Sequence, residues 1–267
     1  MPAVYAHNTF GVKVREKLKP ELKELLNKYN TQFKIGLQGP DLFFYYKPYL
    51  ISNNVIKIGV NLHNNSFKDF LENLIPVIMK KGTDSKEYAY VLGFICHFTL
   101  DSSCHPYIYN KVKALDFNHI EMEAELDKFL LCLNDINPLS FPAHTLIPFD
   151  NETVDTISNV FSAYEEITDK IVLKALKSFR FYKKLLVAPT TFKRNSLNLL
   201  MKISGLYEYI QGHLFKATVN PKSHLTSPKL LMLYEEAIDK AVNLVEDFDF
   251  CINNGLQLSK SFDRNFK

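Results

Sequence analysis

The chain predicts an all-α protein, on three observations. Only 9 of its 267 residues are glycine, and apolar/polar alternation of the kind that makes a half-buried strand is scarce. Long stretches instead repeat apolar residues at helical spacing, as in Phe67–Lys81, in the segment beginning at Lys86 and in His119–Leu133. Between them stand short breaks of turn chemistry, such as Gly36-Leu-Gln-Gly39-Pro40-Asp41, Gly82-Thr-Asp-Ser85 and Pro138-Leu-Ser-Phe-Pro-Ala-His144. A length of 267 residues suits one helical domain over 1–267, with a half rich in ligating side chains at 1–135 and a helical C-terminal half at 151–260.

The first helical pattern runs from Val12 to Tyr29, with leucines inside, charges outside and a break at Pro20. His7 precedes it, with Asn8 or Thr9 as its cap. Asp41 after Pro40 suits an N-cap, and the aromatic run Phe43-Phe44-Tyr45-Tyr46 reads mostly as core. Residues 51–62 read as loop or a short extended piece. His63 stands just before Asn64-Asn65-Ser66, which can cap a helix over Phe67–Lys81. The central helix should start at about Lys86 and reach Ser103 or beyond, with Pro106 ending or bending it. After Asp116-Phe-Asn118 a helix runs from His119 to about Leu133, and Pro138–Asp150 is a linker. The second half predicts helices over Glu152–Val187, capped by Asn151, over Asn195–Phe215 and over Ser227–Asn253. His144, His213 and His224 are assigned no role.

Composition excludes several classes. A formal charge of +3 is too small to argue for a nucleic-acid partner. No run of 18 or more apolar residues marks a transmembrane helix, and the first residues lack the basic and apolar regions of a secretory signal. The four cysteines form no CxxC pair, so free thiols and a cytoplasmic location are the expectation. The basic, aromatic stretch Lys177-Ser-Phe-Arg-Phe-Tyr-Lys183-Lys184 is compatible with a transient membrane contact, though a solvated helix end explains it more simply.

The chemistry concentrates in Gly93-Phe-Ile-Cys-His97-Phe-Thr-Leu-Asp101-Ser-Ser-Cys104-His105-Pro106. His97, Asp101 and His105 are spaced i, i+4, i+8, so a helix turns all three the same way. Imidazole, carboxylate and imidazole on one face is a ligand set that zinc accepts. His119 and Glu123 repeat the spacing on the next helix, sharing a face with Leu126 and Leu130 and so pointing inward. Each histidine alone reads as a satisfied core or surface residue. A buried Asp101 needs partners, which either a metal or a metal-free Asp–His network would provide.

Taken together these residues resemble the zinc-dependent phospholipase C family. Its pattern of Leu-Gly, His-x-x-x-Asp and a downstream His-x-x-x-Glu stands here as Leu92-Gly93, His97–Asp101 and His119–Glu123. An early His, a Pro-Asp and a lone His stand as His7, Pro40-Asp41 and His63. The likeness, over roughly residues 1–130, implies a single multi-helix bundle holding roughly two to three zinc ions. Asp41, His63, His97 and Asp101 would hold one ion; His105, His119 and Glu123 a second; His7 with a bridging Asp101 a third. In the family the third ion is completed by the amine of an N-terminal tryptophan. This chain has no tryptophan, and the Pro2 amine, exposed on removal of Met1, would substitute. His105 here precedes its proline, whereas in secreted members the proline comes first.

The implied activity is phosphoester hydrolysis by zinc-bound hydroxide, with Asp41 both ligating and orienting or deprotonating the attacking water. The expected substrate is a phosphoester, a phospholipid being one candidate, with no stable nucleic-acid partner. The competing readings are a single-strand nuclease or nucleotidase and a non-catalytic helical metal-binding protein. A nuclease would want stacking aromatics beside a basic groove, and a structural site would fill every metal position with protein.

Overall fold

The computed structural model describes residues 3–50, 52–205 and 207–267, leaving the side chains of residues 208 and 209 aside. Every regular element among them is helical. The order is α1 (Val4–Lys17), α2 (Pro20–Lys28), α3 (Asn30–Gly36), a 3-10 segment (Gly39–Tyr45), α4 (Asn54–Asn64), α5 (Phe67–Lys81), α6 (Lys86–Leu115) and α7 (His119–Leu133). After a short 3-10 turn (Ala143–Leu146) follow α8 (Asn151–Val160), α9 (Asp169–Leu185), α10 (Thr191–Ile203), α11 (Tyr207–Ile210), a 3-10 turn (Gln211–His213), α12 (Ser223–Asn254) and a last turn (Lys260–Phe262).

Helix α6 is the axis of the molecule. Over its first half it is apolar on nearly every side, so that part has to be enclosed, and Tyr88, Leu92, Phe94, Ile95 and Phe98 are all buried. Helix α3 crosses it closely because both carry glycine at the crossing. A Cβ on Gly93 would lie 2.3 Å from the carbonyl oxygen of Phe33. On the other side α12 lies along α6, and Tyr88 Oη donates to Asp249 Oδ1 at 2.8 Å. Helix α1 packs on both, with Phe10 edge-on to Tyr234 at 5.4 Å. A layer of phenylalanines closes the near end. Phe67 stacks on Phe98 at 4.0 Å and on Phe94 at 5.8 Å, and Phe266 meets Phe67 at 5.5 Å. Removing one such fully buried ring costs about 3–5 kcal/mol.

Several boundaries differ from the sequence reading. His7 does not precede the first helix but lies in its first two turns, and Asn8 and Thr9 are helical rather than caps. The start was hidden because α1 has no side-chain cap; its first N–H groups are satisfied from a distant helix, as shown below. Asp41 is not an N-cap, since the 3-10 segment holding it has no side-chain cap bond. Residues 54–64 are helical, not extended; Asn53 caps that helix by accepting the N–H of Ile56 at 3.0 Å, while Ile51 lies outside the described residues. Asp150, rather than Asn151, caps α8, accepting from Thr153 N–H at 2.7 Å. The segment 152–187 is two helices, because the chain turns at Phe161 to bury that ring against Phe43 and Phe70. The helix expected from Asn195 to Phe215 stops at Ile203, and Gly205, at φ +70°, takes the turn that other residues avoid.

Pro106 does not end α6, which continues to Leu115. A proline at 106 removes the N–H that would have bonded the Ser102 carbonyl. That carbonyl instead accepts from the Arg264 guanidinium at 2.8 Å. The helix runs through its proline because a residue near the far end of the chain replaces the missing donor.

Candidate metal centre

The eight side chains singled out in the sequence converge on one pocket. His7 comes from α1, Asp41 from the 3-10 segment, His63 from α4, His97, Asp101 and His105 from α6, and His119 and Glu123 from α7. His7, Asp41, His97, Asp101, His105 and Glu123 are buried, and His63 and His119 are partly so. Asp101 is central. Its Oδ1 lies 3.2 Å from His7 Nε2 and 3.7 Å from His105 Nε2. Its Oδ2 lies 3.2 Å from His97 Nε2 and 3.9 Å from His63 Nε2. Asp41 Oδ1 is 3.2 Å from His63 Nε2. Glu123 Oε1 is 2.9 Å from His119 Nε2 and 3.3 Å from His105 Nε2.

The histidines are aimed by the backbone. The Nδ1–H of His63 donates to the Gly59 carbonyl at 2.7 Å, that of His97 to Leu37 at 3.1 Å and that of His105 to Phe266 at 2.7 Å. Such a bond fixes the tautomer and turns the Nε2 lone pair into the pocket, as in metal-ligating histidines. His63 Nε2, His97 Nε2, Asp101 Oδ2 and Glu123 Oε2 are buried and make no hydrogen bond. Buried polar atoms are normally satisfied, so these atoms await a partner, and a divalent cation is one that lone pairs and carboxylate oxygens can share. Three ligand groups lie within 4.8 Å internally: His7, His97 and Asp101; Asp41, His63 and His97; His105, His119 and Glu123. The donor set fits zinc in kind.

The electrostatics agree with that reading. Burial raises the Asp101 carboxyl, but His105, His97 and His7 outweigh it and hold it well below the usual carboxylate range. Glu123, likewise opposed by burial, is brought down to about 2 by His119 and His105. Burial disfavours a charged His105, yet Asp101 and Glu123 push it up to about 9. His7 is lowered, by burial first and then by the neighbouring His97, whose ring stacks on it at 4.1 Å.

Supporting residues extend the pocket wall. Gly39, at φ +50°, faces the His97 ring, where a Cβ would come within 2.3 Å of Cδ2. Of the aromatic run, Phe43 and Tyr45 are core as expected, whereas Phe44 stacks on His63 at 5.4 Å.

Two contributors escape the sequence reading. Asp127 Oδ1 accepts the N–H of Ala6 at 2.8 Å and Oδ2 that of Tyr5 at 3.2 Å. It thereby caps α1 from across the fold and sets the height of His7. The signal was present: His119, Glu123 and Asp127 continue one four-residue spacing. Phe266 contributes a carbonyl to His105 and a ring that packs on His63 at 4.9 Å. A backbone carbonyl carries no sequence signal. Residues 1 and 2, and with them the Pro2 amine expected at the third ion, lie outside the described residues.

A family model described as zinc dependent phospholipase C matches residues 6–179. The match covers well over half of the chain and includes all eight candidate ligands. No curated protein matches the chain, and neither does any solved structure.

Proposed function

Since the chain belongs to the zinc-dependent phospholipase C family, we propose that it is a phosphodiesterase whose substrate is a phosphoester of the phospholipid type. The observation that supports this most is the set of inward-facing Nε2 atoms on His63 and His97, tied at Nδ1 and without a hydrogen-bond partner at Nε2. Asp41, His63, His97 and Asp101 would hold one zinc, and His105, His119 and Glu123 a second. Asp101 would also join His7 at a third. His97 has one free lone pair, so it serves the first site or the third but not both. When bound, zinc supplies hydroxide near neutral pH and offsets the charge that grows on phosphorus.

The protein's own groups set up the rest. Asp101 presents one oxygen towards His7 and His105 and the other towards His97 and His63, which fixes the ligand groups relative to each other. Asp41, whose Oδ1 lies 3.2 Å from His63 Nε2, is held well below the usual carboxylate range, because nearby positive charge outweighs its burial. Its carboxylate accepts the proton of an attacking water and orients the oxygen towards phosphorus. No side chain is asked to act as a covalent nucleophile.

Metal analysis of the purified chain should find at least about two zinc ions bound. Zinc-loaded protein should hydrolyse short-chain phosphatidylcholine faster than single-stranded DNA, with bis(p-nitrophenyl) phosphate as the generic reference. A fully folded chain without metal would remove the proposal. DNA as the preferred substrate would move it to the nucleases.

A further inference from the structure

The charge of this chain is unevenly spread. Nine of its 32 basic residues fall between Lys170 and Tyr207, and none of its 29 acidic residues does, so the rest of the chain carries a net −6. This basic stretch is α9, the loop after it and α10. Its outer surface is also unusually apolar. On α9 the exposed positions Lys174, Lys177, Phe181, Lys184 and Leu185 share one helix face. On α10 Leu197 and Met201 turn inward, into a small cluster with Ala188 and Leu214. The opposite face exposes Phe192 (83 %), Leu199 (58 %) and Ile203 (74 %), spaced i, i+7, i+11, with Leu200 (61 %) beside them.

A solvated helix does not need this pattern, since one buried face already satisfies α10. Among the described residues the second apolar line is left exposed. The two surfaces are held near each other: Lys193 Nζ donates to the Val187 carbonyl at 2.5 Å and Arg194 to that of Ala188 at 2.9 Å. These bonds fold the first turn of α10 back over the loop that follows Leu185.

We infer that the outer face of α9 and α10 docks on an anionic lipid surface, with Phe181, Phe192, Leu199 and Ile203 entering the headgroup layer and Lys174, Lys177, Lys184 and Lys202 meeting lipid phosphates. The chemistry selects this occupant. Aliphatic and aromatic side chains rimmed by lysine are what an interfacial helix presents. A second copy would bring the same lysine-bearing helix faces against these, and like charges would repel. A nucleic acid would be met by stacking aromatics in a groove, whereas three of the four exposed apolar side chains of α10 are aliphatic. Among the described residues no helix is long and apolar enough to cross a membrane, so the contact is in the plane of the surface.

The inference rests on this surface and not on the hydrolytic reading, and its test needs no turnover. Zinc-loaded full-length chain would be floated with phosphatidylcholine vesicles, with and without 30 mol% phosphatidylserine (about that fraction suffices for a surface potential of tens of millivolts). The chain should float with the anionic vesicles and less with the neutral ones, and salt should release it. Phe192→Asp with Ile203→Asp, and separately Lys177→Glu with Lys184→Glu, should each weaken flotation by at least about tenfold. Zinc content and helical circular dichroism should stay at wild-type levels in both. Equal flotation of wild type and variants would overturn the assignment, as would no flotation of wild type. A dimer in light scattering that the Phe192→Asp, Ile203→Asp variant dissolves would overturn it in favour of self-association.

Discussion

The substitution Arg264→Met tests how α6 passes Pro106. The Arg264 guanidinium replaces the N–H that proline lacks, at 2.8 Å from the buried Ser102 carbonyl. A hydrogen bond to a charged group is worth about 1.5–3 kcal/mol. Arg264 is exposed, so screening lowers the figure to about 1–2 kcal/mol. For a chain of this size that corresponds to a fall in Tm of roughly 2–8 °C. The sharper measurement is a double-mutant cycle with Pro106→Ala. Alanine restores an N–H that can reach Ser102, so Arg264→Met should cost much less in that background. Urea denaturation of the four zinc-saturated proteins gives the coupling, expected at about 1 kcal/mol or more. Additive losses would show that the guanidinium does not stand in for the missing donor. The reasoning about the proline would then fail, whatever the single variant did.

Asp101→Asn should lose metal and hydrolytic activity together, read by metal analysis and phosphatidylcholine turnover; full activity would show that Asp101 bridges nothing. In metal-free protein, His105 has a folded pKa of about 9, above its ordinary value of about 6.5. Its contribution of about 3 kcal/mol is therefore fully present below about pH 6.5 and is lost as pH rises through 9. Urea titrations at pH 6 and pH 9.5 should show that fall, and His105→Asn should flatten it. Asp127, pushed up to about 7, chiefly by burial, has the same sign: stability present below about pH 4 is lost as pH rises through 7, and Asp127→Asn should remove that slope. Of the four cysteines, Cys132 alone is exposed, so a thiol reagent should titrate one fast thiol in native protein and four after unfolding.

The helical class and the candidate ligands were legible because both depend on spacing. Apolar residues recurring every three or four positions give the helices, and the same period sets His97 below Asp101 and His119 below Glu123. The family likeness added the three ligands that local spacing could not join, His7, Asp41 and His63, which arrive from different elements. What was not legible rests on contacts between distant parts of the chain. Helix α1 begins earlier than its own residues announce because its cap is Asp127, more than a hundred positions away. Helix α6 passes a proline because Arg264 reaches it. The break at Phe161 carries no glycine or proline; it is made by an aromatic ring finding its place in the core. Local chemistry cannot reveal a partner supplied by tertiary packing.

The bond from His105 to the Phe266 carbonyl spans 161 positions, and this bears on when the protein can be loaded. All eight candidate ligands have been synthesised once Glu123 leaves the ribosome, but the carbonyl that orients His105 follows 143 residues later. At about 5–20 residues per second that interval is roughly 7–30 s. During it the nascent segment offers imidazoles and carboxylates as a loose, exchanging set, open to whichever ion is at hand. Selective, slow-leaving capture must wait for the stretch around Phe266 to be made and folded back, so metallation follows the helical second half rather than guiding the first.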